Sequence, residues 1–277
     1  MRVFESKTCL DKFLEDCAKP IGLVPTMGAL HQGHISLIQQ ARKECTTVIV
    51  SIFVNPTQFN STEDYDSYPR TLNDDLFKLE DECVDGVYIP SILAMYPEGF
   101  STSISVNGPA QGLESDMRPG HFNGVVLVVT KLLNQVSPDR IYLGQKDAQQ
   151  VAVITQLVND LDFSVGITVC PTVREEDGLA ISSRNVRLDL EQRNAAAIIF
   201  KALAATRDRY RAGNHNMAEL EKGCRKILES EHLISTIEYI EMINPSTFEK
   251  WDGLGDCLLL VSVKLGDIRL IDNVLMD

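Results

Sequence analysis

His31 and His34 stand three residues apart in the stretch PTMGALHQGHISLIQQA (Pro25–Ala41), with glycines at Gly28 and Gly33. Each histidine ring can donate an N–H to a phosphate oxygen. A helix that opens directly after a strand adds unpaired backbone N–H groups and a partial positive charge, and both favour an anion. Glycine at 28 and 33 lets a bulky ligand approach the backbone. A lone histidine here would read as a cap or a packed side chain. H-x-G-H between a strand and a helix reads as a phosphate site. Zinc fits less well, because no H-E-x-x-H glutamate and no cysteine pair completes a ligand set. The stretch has neither the G-x-x-x-x-G-K-[ST] phosphate loop nor the dinucleotide G-x-G-x-x-G.

Such a site needs a strand before it and a helix after it. Ile21–Val24 reads as the strand, and Ile35, Ile38, Ala41, Arg42 and Cys45 lay a mainly apolar stripe on a helix starting near His34. Val48–Val54 (VIVSIFV) suits a strand buried on both faces. The alternation continues: a helix through Leu72, Leu76, Leu79 and Cys83, strands at Gly86–Pro90 and Ser101–Val106, and a buried helix over Gly124–Val136. A strand at Arg140–Gly144, a helix over Asp147–Leu161 and a strand at Val165–Cys170 follow. This pattern predicts an α/β fold with a doubly wound parallel sheet. After Asn185 the texture changes to one long Ala-rich helix over 189–212, stopped by Gly213, and a second helix from Met217 to about Glu231. Strands follow at Ser235–Ile243, Cys257–Leu265 and Ile268–Val274. That order predicts a smaller α+β domain, with domains at 1–176 and 177–277.

The 277 residues are long enough for two cores. The composition, 44% hydrophobic and 23% charged, is that of a globular protein, and the net charge of −13 argues against a non-specific nucleic-acid or membrane-surface binder. Glu5, Asp11, Glu15 and Asp16 interrupt any signal-peptide core, and no apolar run reaches membrane-spanning length. Seven scattered cysteines (Cys9, Cys17, Cys45, Cys83, Cys170, Cys224, Cys257) form no C-x-x-C pair and read as thiols in a reducing cytoplasm.

The H-x-G-H run resembles the signature of the nucleotidyltransferase superfamily, which also holds the class I aminoacyl-tRNA synthetases. Further blocks narrow the likeness: FVNPTQF (Phe53–Phe59), YPR (Tyr68–Arg70), MYPEGF (Met95–Phe100), MRPGHFNGV (Met117–Val125), YLGQKDAQQ (Tyr142–Gln150) and REEDGLAISSRN (Arg174–Asn185). In this order and over nearly the whole chain, they are similar to the pantothenate synthetase (pantoate–β-alanine ligase) family. IRLIDNV (Ile268–Val274) fits that family's C-terminal ending.

The resemblance implies a Rossmann-like ATP- and pantoate-binding domain, a smaller C-terminal lid domain, a homodimer in the cytoplasm, and Mg²⁺ accompanying ATP. It implies two steps. Pantoate attacks the α-phosphate of ATP to give pantoyl adenylate and pyrophosphate, and the β-alanine amine then displaces AMP. By the same resemblance the ATP segment is Met27, Gly28, Ala29, Leu30, His31, Gln32, Gly33 and His34, with His34 the catalytic histidine and His31 a second donor. Lys146 is a point charge for the phosphates beside Gly144 and Gln145, while Asp147 accepts from the ribose or caps the next helix. Val173, Ile181, Ser182, Ser183 and Arg184 complete the ATP contacts. Gln58 and Gln150 match the pantoate-binding glutamines, and Gln58 also matches the β-alanine contact. Asn55 and Arg118 are weaker pocket candidates. Asp74 and Asp75 are candidates for Mg²⁺, with N-terminal helix charge the favoured reading. No nucleic acid or membrane is expected as a partner. Two rival readings stand beside this one: another H-x-G-H adenylyltransferase activating a different acid or nucleotide, and a non-catalytic ATP sensor.

Overall fold

The structure, a computed structural model, describes residues 1–277. The chain runs through β1 (Arg2–Phe4), α1 (Lys7–Glu15), β2 (Ile21–Thr26), α2 (Gln32–Glu44), β3 (Thr47–Ile52), α3 (Thr62–Ser67), α4 (Leu72–Asp81), β4 (Gly86–Tyr88), α5 (Ile92–Met95), α6 (Glu114–Met117), α7 (His121–Val136), β5 (Arg140–Gly144), α8 (Ala148–Asp160) and β6 (Gly166–Cys170). These six strands form one parallel sheet in the order β1-β4-β3-β2-β5-β6. This is the expected Rossmann-like architecture. The winding direction reverses between β2 and β5, and ligands of such sheets sit beyond the carboxyl ends of the strands at that reversal. The loop after β2 is the histidine stretch, and the chain leaves β5 at Gly144.

All six residues of β3 are buried, because helices cover both faces of the sheet. Ile49 and Phe53 face a core with Leu10 of α1, Val125, Val129 and Leu133 of α7, and Ile154 and Leu157 of α8. Val48, Val50 and Ile52 face the other core with Ile38 and Ala41 of α2 and Leu79 of α4. Each such side chain larger than alanine contributes about 1.5–3 kcal/mol on burial. Pro25 sits inside β2 without breaking it. The Thr26 carbonyl accepts from Phe53 N–H, so Pro25 is turned towards β5, whose pairing with β2 ends at Leu23.

Asp139 locks the start of β2. Its carboxylate accepts from Ile21 N–H at 2.7 Å and from Lys19 Nζ at 3.1 Å, and the Ile21 hydrogen bond, with Lys19 beside it, holds its pKa below the usual carboxylate range. Stability from a depressed carboxylate is present above its unfolded pKa and is lost as pH falls through the folded value. Asp139→Asn is therefore expected to lower Tm at pH 7, and the gap to wild type should close below about pH 4. A gap that persists unchanged into acid, followed by circular dichroism melts, would show that charge is not what Asp139 contributes.

The second compact unit contains Thr172–Asp277 together with Gln145–Ala148, while Met1–Gly144 and Gln149–Pro171 form the first. Its helices are α9 (Leu190–Ala196), α10 (Ile198–Arg211) and α11 (Met217–Leu228), and β7 (Ile234–Ile243), β8 (Leu258–Leu265) and β9 (Ile268–Leu275) form an antiparallel sheet in that order. Its core joins Ile199, Leu203, Leu220 and Leu228 to Leu259, Val261, Val263 and Leu270.

Three sequence expectations change. Ser101–Val106 is not a strand. Its alternation places Ile104 and Val106 against the first core, and an extended loop anchored at two points needs no ladder. The long helix over 189–212 is two helices meeting at Ala197, whose ψ of −20° is flatter than the helical value. The helix from Met217 ends at Leu228 rather than near Glu231. No helix is long and apolar enough to cross a membrane.

Candidate active site

Helix α2 starts at Gln32, two residues before the expected position, because His31 is its N-cap. The His31 ring Nδ1 accepts from Gly33 N–H at 3.1 Å, and the His34 Nδ1 accepts from His31 N–H at 3.3 Å. The pair forms a reciprocal capping box built from histidines instead of the usual Ser/Thr and Glu/Gln. The rings lie against each other with centroids 4.1 Å apart and planes tilted by 37°. A ring whose Nδ1 accepts is the neutral tautomer with its proton on Nε2. Each histidine is therefore an uncharged Nε2–H donor.

The N–H groups of His31, Gly33 and His34 already have internal acceptors, His34 N–H using the His31 carbonyl at 2.8 Å. The glycines also have internal reasons. A Cβ at Gly33 would lie 2.9 Å from the His31 ring, and Gly28 adopts φ +81° with Asp75 Oδ2 and Ile52 crowding its open side.

Asp75 is the residue the sequence reading undervalued. It lies in the first turn of α4, as helix charge predicts, yet it is 1% exposed. Its carboxylate accepts from Ala29 N–H at 2.9 Å, from Leu30 N–H at 2.7 Å and from the Thr71 hydroxyl at 3.3 Å. Lys78, one turn on, donates to the Leu30 carbonyl at 2.7 Å. Ala29 has φ +51°, a conformation that costs a non-glycine residue about 1–2 kcal/mol. The α4 clamp holds that strained turn immediately before the histidines.

Gln58 closes a 3-10 turn (Pro56–Gln58) beyond β3 and is 7% exposed. Backbone groups determine which way its amide points. Thr57 N–H donates to Asn55 Oδ1, and the Gly124 carbonyl accepts from Asn55 Nδ2. Asn55 Nδ2 must then donate to Gln58 Oε1, at 3.0 Å, which turns Gln58 Nε2 towards the Met27 sulfur at 3.1 Å. The Tyr96 hydroxyl donates to Asn55 Oδ1 at 2.8 Å. Arg118 donates to His121 Nε2 at 3.1 Å, so His121 Nδ1 carries the proton and donates to the Gln58 carbonyl at 2.8 Å. Arg118 itself also reaches that carbonyl, at 3.3 Å. Gln58 thus presents an amide NH₂ at a fixed place beside the histidine loop.

Gly124 permits this arrangement. A Cβ there would lie 2.3 Å from the Thr57 carbonyl oxygen and 2.7 Å from Gln58 N, both backbone atoms. Gly124→Ala is expected to displace the 56–58 turn, to destabilise by about 1–3 kcal/mol, and to raise the KM for pantoate, which Gln58 is proposed to hold. An unchanged Tm and KM would count against this packing.

In the second unit, Lys146 follows Gly144 by two residues and is 17% exposed at its side chain, with Nζ 3.8 Å from Asp147 Oδ1. At Gly144 an added Cβ would meet nothing within 4 Å. The segment Val173–Arg184 doubles back: Ile181 N–H donates to the Val173 carbonyl at 3.0 Å, and the Ser182 hydroxyl accepts from Arg184 N–H at 3.3 Å. Ser182, Ser183 and Arg184 are half-buried, as is Gln150 on α8. Its neighbour Gln149 has a structural task, accepting from Glu114 N–H and donating to the Pro109 carbonyl.

Residues 2–275 match the model of the family described as Pantoate-beta-alanine ligase. The chain belongs to the pantoate–β-alanine ligase family. It is 49% identical to the pantothenate synthetase of Chloroflexus aurantiacus over 93% of this chain and 92% of that one. The pantothenate synthetase of Acetivibrio thermocellus is 45% identical over the full length of both chains. The crystal structure of the Thermus thermophilus pantothenate synthetase covers 99% of both chains at 40% identity with a TM-score of 0.92. A Francisella tularensis pantoate–β-alanine ligase, crystallised with beta-gamma ATP and β-alanine, is 37% identical with a TM-score of 0.82, covering 100% of this chain and 98% of that one.

A ligase of this family works on charged phosphates, so the fit of a metal matters. No three histidine, cysteine, aspartate or glutamate side chains converge to hold one, and both Asp75 oxygens are engaged by the Ala29–Leu30 backbone. Such a donor set builds no cage within the protein. It fits a cation carried by nucleotide phosphates and water. Asp75, Lys78, Tyr96 and His121 brace the Ala29–Leu30 turn and the Gln58 turn, and sequence reasoning missed them or gave them other roles. The i, i+3 spacing of Asp75 and Lys78 was a visible signal, but its target, a loop 45 residues upstream, was not.

Proposed function

We propose that this chain condenses pantoate with β-alanine through a pantoyl adenylate, with His34 and His31 as the donors that hold the phosphates of ATP. The observation that carries the reading is the His31–His34 pair locked together at the head of α2, each ring accepting a backbone N–H at Nδ1, in a ligase of this family. In the first step a pantoate carboxylate oxygen bonds to the α-phosphorus while the bond to the β-phosphate oxygen breaks. Charge then grows on the departing pyrophosphate, where preorganised donors act most strongly. Lys146 adds a fixed positive charge there, and Arg184 offers a two-pronged donor with the Ser182 and Ser183 hydroxyls. Met27–Gln32, Gly33, Gly144, Gln145, Asp147, Val173 and Ile181 line the nucleotide.

Gln58 and Gln150 hold pantoate, and Gln58 also holds β-alanine, its oriented NH₂ suited to a carboxylate. In the second step the β-alanine amine attacks the acyl carbon, loses a proton, and AMP departs with the electron pair of the broken acyl–oxygen bond. No covalent enzyme intermediate is needed, so positioning and exclusion of water carry the catalysis. Mg²⁺ enters with ATP as part of the substrate. Residues 1–176 bind ATP and pantoate, 177–277 serve as a lid, and the working form is a cytoplasmic homodimer.

Pantoate-dependent exchange of labelled pyrophosphate into ATP tests the reaction directly. Exchange should require pantoate and Mg²⁺ and no β-alanine. Exchange driven by another acid or by a nucleotide would move the chain to a different adenylate-forming reaction.

A further inference from the structure

The C-terminal motif Ile268–Val274 (IRLIDNV) has no part in the reaction described so far, yet two of its residues are among the most buried polar groups of the second unit. Asp272 and Asn273 on β9 are each 3% exposed. The Asn273 side chain donates to the carbonyls of both Gln145 and Lys146, at 3.0 Å each, and accepts from Gln145 Nε2 at 3.2 Å. Both N–H groups and the oxygen of the amide are therefore directed at one turn. Gln145–Asp147 is a single 3-10 turn without a strand partner, so this amide does for it what a sheet ladder does for a strand.

Asp272 grips a second segment. Its two oxygens accept the Arg174 guanidinium fork at 2.6 and 2.9 Å. Arg174 also donates to the carbonyls of Gly178 and Asn273 and lies 4.1 Å over the Phe200 ring. Arg174 pairs with Ala180 across the doubled-back segment, next to the Val173–Ile181 hydrogen bond. Asp272 also accepts from Asn273 N–H at 2.7 Å. Two consecutive residues therefore tie the Lys146 turn and the root of the 173–184 segment to one strand.

We propose that Asp272 and Asn273 are positioning residues for the nucleotide: they set the Lys146 turn and the Val173–Arg184 segment in fixed relation to each other. The proposal rests on the assignment of Lys146 and Arg184 to ATP made above. Asp272 is a poor probe, because removing one partner of a buried ion pair leaves the other uncompensated and destabilises the fold. Asn273 is uncharged and acts on the Lys146 turn directly.

The test is a double-mutant cycle with Lys146→Ala, read by pantoate-dependent pyrophosphate exchange and by the calorimetric Kd for ATP, with Tm recorded throughout. Asn273→Ala is expected to weaken both by about tenfold in the wild-type background and to cost nothing further once Lys146 is gone, the coupling expected of neighbours acting as one. Asn273→Ser, which keeps one hydrogen-bonding group, should recover part of the loss. Equal losses with and without Lys146, or wild-type values in Asn273→Ala, would overturn the proposal. So would loss of the folded state in both Asn273 variants, since Asn273 would then be a residue of the fold alone. A wild-type protein that binds ATP but shows no pantoate-dependent exchange would defeat the proposed reaction, while the cycle in ATP affinity would still decide the role of Asn273.

Discussion

His34→Ala is expected to slow pantoate-dependent pyrophosphate exchange by about 10²–10³-fold, the usual effect of removing one preorganised donor from developing charge. The same substitution removes the acceptor for His31 N–H, and loss of a cap costs about 0.5–2 kcal/mol of stability. The two effects can be separated. Gln is the ordinary residue at this position of a capping box, so His34→Gln should restore Tm while the exchange rate stays far below wild type. A wild-type rate in His34→Ala would remove the residue from the chemistry. A full return of rate in His34→Gln would reduce its role to capping.

Asp75→Ala is expected to reduce the same rate by about 10²-fold, although Asp75 is proposed to touch neither ATP nor pantoate. The Ala29–Leu30 turn carries the histidines, and a misplacement of about 1 Å costs roughly that factor. Two N–H donors would lose their acceptor, at about 1–3 kcal/mol each where they stay buried, so Tm should fall as well. Asp75→Asn sharpens the test. Its amide offers one oxygen for two N–H groups that now share a carboxylate, so its rate and Tm should lie between alanine and wild type. Full activity in Asp75→Ala would show that the turn holds its shape without the clamp.

Much of the molecule was legible in order along the chain. Runs such as VIVSIFV are apolar at every position because β3 is covered on both faces, and that follows from side-chain hydrophobicity alone. Glycine and proline punctuation placed the element ends to within a few residues. The expectation for Ser101–Val106 failed because alternation reports which side chains are buried and says nothing about where the backbone finds its hydrogen bonds. The single helix over 189–212 failed for a related reason, since one flatter residue at Ala197 leaves no mark in composition.

For the site, the residues themselves were readable and their states were not. Residue type and spacing determined that His31 and His34 head a helix behind a buried strand. Proton location on the two histidines depends on a local loop geometry that residue type does not fix, and the Gln58 amide orientation and the burial of Asp75 depend on partners 45 to 69 positions away in the chain, such as Leu30 for Asp75 and Gly124 for Asn55. The same is true of Asn273, whose contacts lie 127 and 128 positions upstream. Hydrophobic period is a local property of a chain, so sequence by itself determined the strands, the helices and the family blocks they carry. A buried hydrogen bond takes its direction and worth from both partners at once, so only the tertiary structure decided which groups are paired and what holds them there.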